Sequence, residues 1–195
     1  MIRSSRRLFL FAVMIFLLLA FSWSKPVSIT ILHDNDVHGR LLPFFDKTLN
    51  QTVGGAARRA SIIDEIRKKN SGILVLTAGD WISGTPILGL FKGEADFKAI
   101  QLMKYDAMVI GNHEFDYGVE NLLKEIKSKA EFPLLSANIF DTHGGLLFER
   151  FVLKRFGNFE AVPSVVIMGL TTEKTPSISS PKNVEGIKFT DPQYE

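Results

Sequence analysis

The chain has 195 residues, 23 Lys and Arg against 21 Asp and Glu, and a formal charge of +2, which fits one domain of good size and not two. With Arg3, Arg6 and Arg7 in an acid-free N-terminal stretch, the remainder is close to neutral, so no basic surplus marks a nucleic-acid reader. The 46% hydrophobic content excludes a disordered chain, and the absence of cysteine excludes disulfides, thiolate metal sites, cysteine nucleophiles and a lipid-modified N-terminal cysteine.

The three arginines precede an uncharged apolar run from Leu8 to Phe21. As a helix that run reaches about 21 Å, short of the roughly 30 Å hydrocarbon core, so residues 1–24 read as a secretory signal peptide, with an uncleaved membrane anchor as the alternative. Two cleavage registers fit, Ala20/Ser22 before Trp23 and Ser22/Ser24 before Lys25. Ser5-Arg6-Arg7-Leu8-Phe9-Leu10 also resembles a twin-arginine signal, although the very apolar run suits the general secretory route better. Either route places residues 25–195 outside the cytoplasm, in the periplasm or at the cell surface, with the membrane met only through the signal segment.

The β-branched stretch Val27 to Leu32 predicts a strand. Ala56 to Lys69 predicts a helix, with Ala60, Ile63 and Ile66 at three-residue spacing between charges. The continuous apolar run Ile73 to Ala78 predicts a strand buried on both faces. A helix around Ala95 to Met103, a strand at Ala107 to Ile110, and a helix from Val119 to Lys129 follow. Leu134 to Ile139 and Val162 to Leu170 are further strands; past Leu170 the chain turns polar and proline-rich, with no strong element expected. Strands alternating with helices predict an α/β domain with substantial parallel pairing.

Polar clusters follow three of these strands: His33-Asp34-Asn35-Asp36-Val37-His38-Gly39, Gly79-Asp80-Trp81 and Gly111-Asn112-His113-Glu114-Phe115-Asp116. Open α/β sheets bind ligands just outside the carboxyl ends of their strands. In extended backbone Asp36 and His38 project to one side and offer a carboxylate oxygen and an imidazole nitrogen to one metal ion. Donors of this kind, without sulfur, favour Mn, Fe, Co, Zn or Mg. Glycines before Asp80 and Asn112 permit close approach of other groups. His33 lies out of phase with Asp36 and His38 and reads as structural; His143, in Asp141-Thr142-His143-Gly144-Gly145, reads as an exposed turn residue. Taken singly, an Asp-x-His, a Gly-Asp or an Asn after a strand is a turn or surface feature; the ordered combination is what points to chemistry.

These blocks resemble the first three signature motifs of the calcineurin-like metallophosphoesterases. The ILHDNDVHGR opening, Gly54-Gly55-Ala56-Ala57-Arg58, the GNHEFDYG run, Ser136-Ala137-Asn138 and Gly169-Leu170-Thr171-Thr172 further resemble the branch of 5′-nucleotidases and UDP-sugar hydrolases. The resemblance spans about Val27 to Pro192. It implies two divalent metal ions, with Asp36 and His38 on the first, Asp80 bridging and Asn112 on the second, and His113 as catalytic histidine oriented by Asp116. It implies a nucleotide or nucleotide-sugar substrate and a two-sheet α/β/β/α sandwich. Position 34 departs from the pattern, with Asp where relatives commonly carry Thr. None of the four histidines follows His143, so the later histidine ligands of the family are not in this sequence. Residues 25–195 therefore read as the N-terminal portion of such a catalytic domain, incomplete at its C-terminal end. It is either part of an active phosphohydrolase or a non-catalytic fragment needing a complementary C-terminal chain. An uncovered apolar sheet face is expected.

Overall fold

The computed structural model describes residues 28–156 and 164–194; the expected signal peptide lies outside them. The central sheet has four parallel strands in the order β1 (Thr30–Asp34), β4 (Ile73–Thr77), β5 (Ala107–Val109) and β6 (Leu134–Leu135). Thr30 to Asp34 run opposite Ile73 to Thr77 in register. Parallel neighbours need a long crossover. The first carries a hairpin of β2 (Phe44–Asp46) and β3 (Gln51–Val53) and then helix α1 (Ala56–Lys69). The second carries α2 (Pro86–Phe91) and α3 (Glu94–Met103), and the third a helical segment that begins as α4 (Gly118–Asn121).

Helix α1 keeps the expected bounds for local reasons. Ile63 is its buried residue, Arg67, Lys68 and Lys69 face the negative end of the helix dipole, and Asn70 closes it through Nδ2 to the Ile66 carbonyl at 2.9 Å. Arg67 also reaches across to the Met103 carbonyl at the end of α3 (2.8 Å) and satisfies a helix-terminal acceptor. The segment expected as one helix from Val119 to Lys129 is continuous but irregular. After α4 it widens to a π turn over Leu122–Ile126 and tightens to a 3₁₀ turn over Lys127–Lys129. Buried Leu122 and Ile126 face the core.

The sheet is covered on both faces. Ile63, Val75, Phe97, Ile100, Met103, Met108, Leu122, Ile126 and Leu134 form the core between sheet and helices. On the other face Leu74, Ala107 and Leu135 pack against Ile167, with Val152 and Val165 partly buried beside them. These last residues belong to an antiparallel hairpin of β8 (Phe151–Arg155) and β9 (Ser164–Met168). The expected α/β class and parallel sheet are therefore observed, with helices, sheet and hairpin as successive layers.

Several expectations need correction. The apolar face does not simply stand open, because the hairpin covers much of it. Exposed apolar surface is transferred to the hairpin's outer side, where Phe151 pairs with Met168 and Leu153 with Val166, and to Ile31 on β1. The single strand expected over Leu134 to Ile139 is two: β6, and β7 (Ile139–Asp141), which leaves the sheet and pairs with β10 (Ile187–Phe189). Buried Ser136, Ala137 and Asn138 make the transition. The tail past Leu170 also carries a short helix α5 (Thr175–Ile178) and a 3₁₀ turn at Pro181–Val184. Such elements are too short to show a hydrophobic period.

Candidate active site

The three polar clusters meet at the carboxyl ends of β1, β4 and β5. Asp36, His38 and Asp80 all have left-handed backbone, with φ of 53°, 50° and 56°. Residues with a Cβ seldom occupy that region, and strain held by surrounding structure clusters at functional sites. The extended backbone expected for Asp36-Val37-His38 is thus replaced by a turn that buries Val37. The side chains still converge, with His38 Nε2 3.4 Å from Asp36 Oδ1. The turn is held by the neighbouring loop: Asp36 N–H donates to the Gly79 carbonyl (3.1 Å), His38 N–H to Asp80 (3.1 Å) and Gly39 N–H to Trp81 (2.7 Å).

Asp80 in turn is tied to the third cluster, because its Oδ1 accepts the His113 N–H at 2.9 Å. The two glycines make this approach possible. A Cβ on Gly79 would lie 2.6 Å from the Gly111 nitrogen, and one on Gly111 would lie 2.3 Å from Asp80 Oδ1. His113 Nδ1 and Asp116 Oδ2 are 3.0 Å apart, the expected orienting contact, and the His38 and His113 rings meet edge-on with centroids 4.9 Å apart. Partial burial pulls the His113 pKa down. The hydrogen bond and charge of Asp116, with Asp80 and Glu114 behind it, outweigh that and leave it raised.

Glu114 belongs to the third motif but was given no role by sequence reasoning. It is fully buried, and its carboxylate gathers backbone N–H groups from two loops. Oε2 accepts from Gly111 (2.7 Å) and Asp80 (3.0 Å); Oε1 accepts from Trp81 (2.9 Å) and more loosely from Ile82 (3.4 Å). Burial pushes the carboxyl up to about 7 while the amide hydrogen bonds pull the other way. One side chain thereby fixes the loop carrying Asp80 against the loop carrying Asn112 and His113. An acid inside a motif, two residues from a ligand candidate, was the available signal.

The remaining candidates separate cleanly. His33 is exposed and, like His143, stands apart from the cluster; His143 sits in a turn organised by Asp141, which accepts the His143 and Gly145 N–H groups at 2.7 and 2.8 Å. Asp34 points elsewhere. It accepts the Tyr105 hydroxyl and lies 3.3 Å from Arg59, whose guanidinium stacks over Trp81. Burial and the Asp34 hydrogen bond raise the Tyr105 pKa, so its hydroxyl remains a donor.

Asp36, His38, Asp80 and Asn112 are oxygen and nitrogen donors suited to a divalent cation. Among the described residues, however, no three His, Asp or Glu side chains close around one point. The donor chemistry fits part of a metal centre, the Asp36–His38 pair being its most developed element.

Residues 29–184 match the calcineurin-like phosphoesterase family. The chain is 40% identical over 177 residues to the 5′-nucleotidase of Vibrio cholerae, covering 88% of this chain and 30% of that protein. It is 36% identical over 182 residues to protein UshA of Escherichia coli, covering 91% and 31%. Among solved structures it resembles a 5′-nucleotidase precursor from Thermus thermophilus (TM-score 0.73, 32% identity, 85% of this chain and 32% of that one). It also resembles the NAD nucleotidase of Haemophilus influenzae (TM-score 0.70, 31% identity, 87% and 30%). The chain thus spans about 30% of the length of the curated relatives it matches. With its motif loops at the ends of three parallel strands, the chain belongs to the calcineurin-like phosphoesterase family.

Proposed function

We propose that this chain is the N-terminal portion of an exported, metal-dependent phosphohydrolase of 5′-nucleotidase type, acting on phosphate esters of nucleotides or nucleotide-sugars. The observation that carries the reading is the convergence of Asp36–His38, Asp80 and His113–Asp116 on one end of the sheet. Asp36 and His38 would hold one divalent ion, Asp80 would bridge to a second, and Asn112 would serve the second. Bound there, such ions polarise phosphoryl oxygens and lower the pKa of water. Export rests on Arg3, Arg6 and Arg7 ahead of the apolar run.

The remaining steps belong to the side chains of the chain. With Asp116 on Nδ1, the imidazole of His113 keeps Nε2 free for substrate. From there it protonates or hydrogen-bonds the departing alkoxide. The raised pKa, set against partial burial chiefly by Asp116, favours the protonated imidazole that this step needs. The Glu114 clamp holds the loops in place without touching substrate.

The decisive measurement pairs metal content with phosphate release from AMP in added Mn or Co, with the remaining portion of the catalytic domain supplied. Asp80→Ala should lose metal and activity together. His113→Ala should keep metal while turnover falls about 10²–10⁴-fold. The reverse pattern overturns the assignment of roles.

The exposed outer face of the β8–β9 hairpin favours a second reading, a non-catalytic subunit that associates through that face. A clean monomer by light scattering at high concentration counts against it.

A further inference from the structure

The loop from Ile110 to Asp116 carries Asn112, His113 and Asp116, and it leaves carbonyl groups that the sheet does not use. Three of these accept side-chain donors from one later stretch of chain. Thr171 Oγ1 donates to the Ile110 carbonyl (2.6 Å), Ser179 Oγ to the Asn112 carbonyl (3.1 Å) and Asn183 Nδ2 to the Asp116 carbonyl (2.8 Å). The order of donors along the chain matches the order of acceptors, so the two segments run alongside each other.

The donating segment is itself anchored at both ends. At its start, Asn138 accepts the Thr171 N–H through Oδ1 (2.8 Å) and donates through Nδ2 to the Thr171 carbonyl (2.7 Å) and to Thr190 (2.9 Å). Ser136 Oγ lies 2.8 Å from Thr171 Oγ1. Along its length Thr175 and Val184 are buried. At its end Phe189, on β10, meets Phe115 edge-on with centroids 5.5 Å apart. The side-chain hydrogen bonds it makes to the loop go to backbone carbonyls.

We infer that residues 171–189 form a strap that positions the His113 loop, with Ser179 and Asn183 as positioning residues of the proposed active site. The inference deepens the phosphohydrolase reading, on which its catalytic meaning rests, but the mechanical claim stands on these contacts alone. Beside the Gly111–Glu114, Asp80–His113 and His113–Asp116 contacts already described, the loop's internal backbone–backbone hydrogen bonds are Phe115 N–H to the Asn112 carbonyl at 3.3 Å and Asp116 N–H to the His113 carbonyl at 3.0 Å. A single 3₁₀ turn of that kind is weak by itself. Holding the carbonyls at both ends of the turn restricts the backbone between them, and the imidazole moves with that backbone.

The test is amide hydrogen exchange on the chain without metal, following Phe115 and Asp116, with α1 amides such as Ile63 as reference. Ser179→Ala and Asn183→Ala should each speed exchange at Phe115 and Asp116 about 3–10-fold, and the double variant by more, while Ile63 is unchanged. Ser179→Thr, which keeps the hydroxyl, should restore the slow rate. Asn183→Asp, which sets an acceptor against the Asp116 carbonyl, should exceed Asn183→Ala. Should either alanine variant fold poorly, Ser179→Thr and Asn183→Asp read against the parent still decide the matter relative to Ile63: the first should keep the slow rate and the second should speed exchange at Phe115 and Asp116. The strap is overturned if exchange quickens only within residues 175–189 while Phe115 and Asp116 keep their rates. In the complete enzyme the alanine variants should lower kcat with KM and metal content retained. If exchange responds but kcat does not, the positioning role of Ser179 and Asn183 in the reaction is overturned, whereas failure of the phosphohydrolase reading itself shows as unchanged turnover in His113→Ala.

Discussion

Replacing Glu114 by glutamine tests whether the two motif loops are held by a carboxylate in particular. The amide is nearly isosteric, so packing is retained, but one of its two terminal atoms becomes a donor. If the NH₂ takes the Oε2 position it faces the N–H groups of Gly111 and Asp80, now at 2.7 and 3.0 Å. If it takes the Oε1 position it faces Trp81 at 2.9 Å and Ile82 at 3.4 Å. The second orientation is the cheaper, because only one of the two lost hydrogen bonds is short. An orphaned buried donor costs about 1–3 kcal/mol, and relief from burying a charge returns part of that. The net expectation is about 2 kcal/mol of lost stability, or roughly 4–8 °C in Tm for a chain of this size. Thermal unfolding followed by circular dichroism measures it directly. Asp80 should shift with its loop, so affinity for Mn should fall in the same variant. Glu114→Ala, which strands all four N–H groups and leaves a cavity, should be worse than Glu114→Gln on both counts. If Glu114→Gln matches the parent in Tm and in metal affinity, the clamp does not depend on a carboxylate and the argument fails.

Gly111→Ala should cost about 2–3 kcal/mol and weaken metal binding, since the new Cβ would lie 2.3 Å from Asp80 Oδ1; a variant with unchanged Tm and metal content refutes the close packing. Asp96 on α3 is buried with neither carboxylate oxygen partnered by another residue among the described ones, and burial pushes its pKa up to about 7. The folded chain therefore holds that proton more tightly than the unfolded chain, and stability should drop as pH rises from about 4 to about 7. Urea titrations at pH 5 and pH 8 should show that drop in the parent and a smaller one in Asp96→Asn; equal drops would rule Asp96 out as its source. For His113, whose pKa is raised, the stabilisation is present below about 6.5 and is lost as pH rises through its folded value. Asp116→Asn should lower the midpoint of the His113 ring resonances in an NMR titration, and an unmoved midpoint would show that Asp116 does not set it.

Much of the architecture could be read from local pattern, because the relevant forces are themselves local or periodic. Helix α1 follows from Ala60, Ile63 and Ile66 on one side and three cations at its end, and the both-faces burial of β4 follows from an unbroken apolar run. The ordered motif blocks put Asp36, His38, Asp80, Asn112, His113 and Asp116 at strand ends on pattern alone. What could not be read depends on partners remote in sequence. Ser136-Ala137-Asn138 splits one apolar stretch into two strands because its hydrogen bonds go to Thr171 and Thr190. Asp34, the departure from the motif, sits beside the site residues in sequence, yet Tyr105 and Arg59 draw it away. The left-handed backbone at Asp36, His38 and Asp80 has no composition signal, since it is imposed by hydrogen bonds from the adjoining loop. Glu114 lies inside the third motif with no role legible from the sequence, because the four N–H groups around it come from two loops. Periodicity and motif order thus determined which residues form the elements and which polar clusters stand at the strand ends. Long-range hydrogen bonding, which no local pattern encodes, decided how those residues are held.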